Sequence, residues 1–110
     1  MNILSRYGEM RDSACFYARE LEIDHYDVRI WILKLPHPHK KMGYVEYPSS
    51  FGNKGIMEVY VKLDDEREYT LAHEMVHVRQ ILASSGIDEI EAEKTGQILA
   101  EKRLTMTHIM

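Results

Sequence analysis

Two histidines four positions apart, with a glutamate directly after the first, form the one string with obvious chemistry: His73-Glu74-Met75-Val76-His77. On a helix, residues i and i+4 share a face with Cβ atoms about 5–6 Å apart, so both imidazoles can reach one Zn²⁺ at roughly 2.0–2.1 Å. Glu74 lies one step round from His73. That is too far aside to join the ligand row, yet close enough to take a proton from a water held on the ion. His73 and His77 are therefore the candidate metal ligands and Glu74 the candidate general base.

A catalytic zinc normally has three protein ligands and one open position. Metzincin-like spacing would require glycine at position 80 and histidine at position 83, where the chain has Gln80 and Ala83, so that class is excluded. The next histidine, His108, falls near the chain's end, where helices fray. The acidic run Asp88-Glu89-Ile90-Glu91-Ala92-Glu93 offers carboxylates instead. On a helical wheel Glu91 shares a face with Thr95, Ile98, Leu99 and Met106, whereas Glu89 and Glu93 fall about 160° away. A carboxylate facing the core needs a partner, and an ion held by two histidines would supply one. The wheel thus selects Glu91 as third ligand, with Glu89 or Glu93 as alternatives by default solvated. A competing role for Glu91 is a capping box with Asp88 three residues earlier.

These residues need a frame. Ala14, Cys15, Ala18 and Leu21 recur at helical spacing and predict a first helix over 11–21. Segments 27–35 and 44–47 read as strands, the first ended by Pro36 and Pro38, the second bounded by Gly43 and Pro48. In 56–63, Met57, Val59, Val61 and Leu63 alternate onto one face of a third strand. Short connections suggest an antiparallel meander, covered by helices on one face. Asp64 and Asp65 are potential caps, Asp65 and Glu68 having capping-box spacing, for a helix running to about Leu82 along a stripe of Leu71, Met75, Val78 and Leu82. Gly86 suits a left-handed cap after it. Asp88 opens a last helix reaching about Met106, although Gly96 costs it about 1 kcal/mol of propensity against alanine.

At 110 residues, with 45% hydrophobic and 29% charged positions, the chain has room for one core, so 1–110 is a single domain. The formal charge of −4 provides no field for nucleic acid or anionic lipid, and no apolar run approaches membrane-spanning length. Cys15 alone forms no internal disulfide and no multi-cysteine zinc site. A reducing, cytoplasmic setting is expected. His37 and His39, flanking Pro38, are a weak second metal candidate, with a solvated loop as the simpler account.

Through His73-Glu74-Met75-Val76-His77-Val78-Arg79-Gln80 and Glu89-Ile90-Glu91-Ala92-Glu93 the chain resembles minimal gluzincin-like metallopeptidases encoded by phages and bacteria. The specific motifs occupy only about 71–92. The resemblance implies an α+β, zincin-like fold: N-terminal helix, three-stranded antiparallel sheet, HExxH helix and a C-terminal helix carrying the third ligand. It favours Glu91, since the ligand glutamate of gluzincins is commonly followed by alanine, as Glu91 is by Ala92. Larger members place an aspartate one turn after that glutamate to orient a histidine; counted from Glu91, this chain has Thr95 there.

The expected activity is hydrolysis of peptide bonds by a zinc-bound water, on peptide or unfolded protein substrates. Tyr44, Tyr47, Tyr60, Tyr69 and Arg79 are candidate donors to the developing oxyanion. Two rival expectations stand beside it: a non-catalytic binding or regulatory module of the same fold, and a zinc amidase acting on a cell-wall peptide.

Overall fold

The computed structural model describes residues 1–36, 41–46 and 56–109, the last three by backbone only. Strand β1 spans Asn2–Ser5, helix α1 Gly8–Glu20, β2 Arg29–Lys34, β3 Gly43–Glu46, β4 Ile56–Val61, α2 Arg67–Leu82 and α3 Glu89–Ile109. The architecture is α+β, with one four-stranded mixed sheet in the order β1-β2-β4-β3.

The antiparallel three-stranded meander is thus corrected on two counts. β1 is an additional strand, and both β1–β2 and β2–β4 are parallel; only β3–β4 is antiparallel. β1, α1 and β2 form a strand-helix-strand crossover, which returns the chain parallel to where it began. After β2 the chain passes beyond its neighbour's place to lay down β3, then turns back and inserts β4 between them. The alternation of β4 explains its central place: Met57, Val59 and Val61 are almost wholly buried.

Ile30 and Ile32 of β2 share that buried face, and α1 and α2 cover it. The opposite face carries Trp31, Glu58 and Tyr60, with the Tyr44 ring stacked on Tyr60 at 4.6 Å between centroids. Helix α2 lies between the sheet and α3, so its burial is wider than one stripe and takes in Ala72 and Val76. Its start departs from a capping box, because Glu68 turns inward to Tyr17 while Asp64 Oδ1 accepts from the Glu66 N–H. At its other end Ser84, with φ 54°, takes the left-handed position, and the Ser84 and Ser85 N–H groups donate to Ile81 and Gln80 carbonyls. Gly86 is also left-handed, two residues later.

Helix α3 packs on α2 through small residues. A Cβ on Gly96 would sit 2.9 Å from both Cα and N of His73, so glycine permits a backbone approach alanine would obstruct. Ala92 and Ala100, four residues to either side, are fully buried, with Leu99 alongside. The larger apolar residues Ile90, Ile98 and Met106 face outward. No helix among the described residues is long and apolar enough to cross a membrane.

Candidate metal centre

His73 and His77 stand one turn apart on α2, at its side facing α3 and the cleft, and their Nε2 atoms lie 3.2 Å apart. The close packing at Gly96 brings the start of α3 against them. Glu89, the first residue of α3, places Oε1 2.5 Å from His77 Nε2 and Oε2 3.5 Å from His73 Nε2. One donor atom from each of His73, His77 and Glu89 can be chosen with all three within 4.8 Å of one another. Four ligands tetrahedrally arranged at roughly 2.0–2.1 Å are separated by roughly 3.3 Å, so the observed spacings bracket what one small cation requires. Two imidazole nitrogens and one carboxylate suit a divalent transition ion and leave a position unfilled by protein. This His-His-Glu group can bind a metal ion.

Glu91, the carboxylate selected from the helical wheel, lies outside this group. Its Oε1 accepts from Gln80 Nε2 at 2.9 Å and pairs with an Arg79 guanidinium nitrogen at 3.3 Å. Those contacts hold its carboxyl below the ordinary carboxylate range. Its N–H donates to Asp88 Oδ1 at 3.0 Å, so Asp88 caps α3 as anticipated. The wheel took Ile98 and Met106 as core. The contact line in fact runs through Ala92, Gly96, Leu99 and Ala100, which rotates Glu89 and Glu93 toward α2. Their neighbourhood, 92-96-100 in small residues, was the available signal. Counting one turn from Glu89 also changes the residue after it. Glu93, not Thr95, occupies that position, and its Oε2 lies 3.3 Å from His73 Nδ1, where it can orient that ring.

Glu74 is 7% exposed and stands beside both imidazoles. Burial pushes its carboxyl above the ordinary value, against the opposing pull of His73 and His77. Gly43 of β3 crosses directly above: a Cβ there would meet Thr70 Cγ2 at 2.7 Å and Glu74 Cγ at 3.3 Å. His73, Glu74, His77 and Glu89 line an open cleft of about 780 Å³, walled by Gly43 to Val45 on one side and by Ile81 and Ile87 on the other. Of the candidate oxyanion donors, Tyr69 lines this cleft; Tyr44 borders it at β3, but its ring stacks on Tyr60. Tyr60 lies on the opposite sheet face with its hydroxyl donating to Glu58, Arg79 is paired with Glu91, and Tyr47 is outside the described residues, as are His37 and His39.

β3 presents a backbone edge to the cleft. Lys62 N–H donates to Met42 C=O, which sets the antiparallel alternation. Tyr44 therefore exchanges hydrogen bonds with Tyr60, and Gly43 and Val45 turn their N–H and C=O groups away from β4.

Comparison with protein-family models, with curated proteins and with solved structures finds no match for this chain.

Proposed function

We propose that this protein is a zinc-dependent metallopeptidase of the gluzincin type, with His73, His77 and Glu89 holding the ion and Glu74 as general base. The observation that carries it is the convergence of those three donors beside a buried glutamate on an open cleft. When bound, Zn²⁺ supplies Lewis acidity that lowers the pKa of coordinated water toward about 7.

The chain's own residues complete the arrangement. Glu74 faces the ligand atoms with a carboxyl raised by burial, so it can accept a proton and later return it to a leaving amine. Glu93 orients His73 through Nδ1. The outward N–H and C=O groups of Gly43 and Val45 can pair with an extended peptide as an added strand, which favours unfolded substrates and limits sequence selectivity. Tyr69 is the donor placed to meet a developing oxyanion.

Incubation of zinc-loaded protein with denatured casein or a peptide library, alongside Glu74→Gln, tests this. Cleavage by wild type and its loss in Glu74→Gln at undiminished zinc content is expected. Equal cleavage by both removes Glu74 as base; stoichiometric zinc without any cleavage favours the binding module.

A further inference from the structure

Gln80 is a buried polar residue, 2% exposed, on the α2 turn after His77. All of its amide's polar capacity is used within the protein. Oε1 lies 2.8 Å from His77 Nδ1 and accepts from the Asp88 N–H at 3.2 Å. Nε2 donates to the Asp88 carbonyl at 3.0 Å and to Glu91 Oε1 at 2.9 Å. Three of these four contacts fix the direction of the amide without reference to histidine. Turned end for end, it would set an N–H₂ against the Asp88 N–H, and an oxygen against both a carbonyl and a carboxylate. The end presented to His77 is therefore an acceptor, and His77 Nδ1 has to be the donor.

We infer that Gln80 is a positioning residue, which holds His77 in the Nδ1–H form so that the Nε2 lone pair is aimed at the metal position beside His73 and Glu89. Glu91 and the Asp88 backbone act one step further out, by setting which end of the amide meets the ring. The two histidines thus gain orienting partners from α3 by different routes. Glu93 contacts His73 directly, whereas Glu91 reaches His77 only through Gln80. It also gives the Glu91 carboxylate a role outside ligation, and gives the chain a reason to bury an amide where leucine would pack more cheaply. The link to catalysis rests on the metallopeptidase proposal; the tautomer does not.

The competing influences on His77 are the two possible acceptors at its Nε2, Glu89 Oε1 at 2.5 Å and His73 Nε2 at 3.2 Å, both of which favour the opposite tautomer. The decisive measurement is therefore made on the metal-free full chain carrying both Glu89→Ala and His73→Ala, ¹⁵N-labelled, at a pH where the spectra themselves show a neutral ring. Long-range ¹H–¹⁵N correlation spectra report which ring nitrogen bears the proton. With Gln80 present, His77 is expected as Nδ1–H; finding it predominantly Nε2–H overturns the inference even if no further variant folds. Adding Gln80→Met removes the acceptor, and Nε2–H should then appear. Adding Gln80→Glu removes the donors to Asp88 and Glu91 but keeps the acceptor, so Nδ1–H should persist. A purely structural role would disturb both variants alike, and an unchanged tautomer in Gln80→Met also overturns it. In the chain with Glu89 and His73 intact, Gln80→Met should weaken Zn²⁺ binding by about 10–100-fold, with Gln80→Glu affected less. Correct tautomers with zinc bound but no peptide cleavage would sink the peptidase proposal and leave the positioning role standing.

Discussion

Glu68 and Glu74 sit on the same helix, six residues apart and almost equally buried at 8% and 7% exposure, yet their surroundings differ in kind. Glu68 faces α1, where the wholly buried Tyr17 donates its hydroxyl to Oε1 at 2.7 Å. Glu74 faces the cleft beside the two histidines and beneath Gly43, and burial raises its carboxyl. A buried carboxylate with a built-in donor is a pin between helices. One enclosed on its protein side but open toward a cleft keeps the capacity to exchange a proton with whatever enters. Burial alone does not distinguish the two; the identity of the facing element does.

The largest effect should come from Glu74→Gln. Loss of a general base costs typically 10²–10⁴-fold in turnover, so peptide cleavage should fall by about that factor. Zinc content and thermal unfolding should stay near wild type. Glu68→Gln should invert this pattern, lowering the unfolding temperature with turnover retained. If Glu68→Gln abolished cleavage in a folded, zinc-loaded protein, the contrast between the two sites would be wrong.

A second contrast, on α3, sharpens the first. Glu89→Ala removes a proposed ligand and should weaken zinc binding by more than about 100-fold, beyond the range expected for an outer partner. Glu91→Ala removes one of three contacts fixing the Gln80 amide and should stay within about 10-fold. Titration calorimetry of both variants decides the order; the reverse ranking would return the third ligand to Glu91.

The placement of these side chains on α2 and α3 marks how far the sequence reaches. The histidines and Glu74 were legible because i, i+4 spacing on one well-formed helix is local geometry. Which carboxylate of α3 comes nearest the two histidines depends on how one helix is rotated against another, and hydrophobicity misreports that rotation. Ile90 and Ile98 are exposed, while the contact is made by Ala92, Gly96 and Ala100, which bury little apolar area and signal only by being small. Gly96, a mark against the helix in propensity, is what allows the helix to come close. The sheet failed similarly. β4 was clear from its alternation, but β1 offers only Ile3 and Leu4 in four residues, and strand order depends on contacts far apart in sequence.

Gly96→Ala tests that close approach, with a smaller effect. The added methyl meets backbone rather than a flexible side chain, so the helices must separate, at about 1–3 kcal/mol for overpacking, offset in part by alanine's better helix propensity. Urea unfolding should show the loss, and zinc affinity should fall with it, because Glu89 and Glu93 retreat from α2. Unchanged stability with weakened zinc binding would mean that α3 shifts as a rigid body at little cost.

The smallest effect, and the one that isolates the pin, is Tyr17→Phe. It leaves Glu68 buried without its donor, at about 1–2 kcal/mol near neutral pH. Burial, and then the hydrogen bond and charge of Glu68, push the Tyr17 hydroxyl far above its ordinary value in the folded protein. Below about pH 10 Tyr17 is protonated folded and unfolded alike, and its full contribution is present. Above that, the unfolded chain releases the proton and the folded one does not, so wild-type stability declines by about 1.4 kcal/mol per pH unit from this group. Phenylalanine has no proton to lose. The stability gap between the two proteins should therefore be constant through neutral pH and shrink as pH rises beyond about 10, the other tyrosines cancelling in the difference. Denaturant midpoints at a series of alkaline pH values measure it; a gap that stays constant would mean the Tyr17 hydroxyl ionises as easily inside the fold as outside.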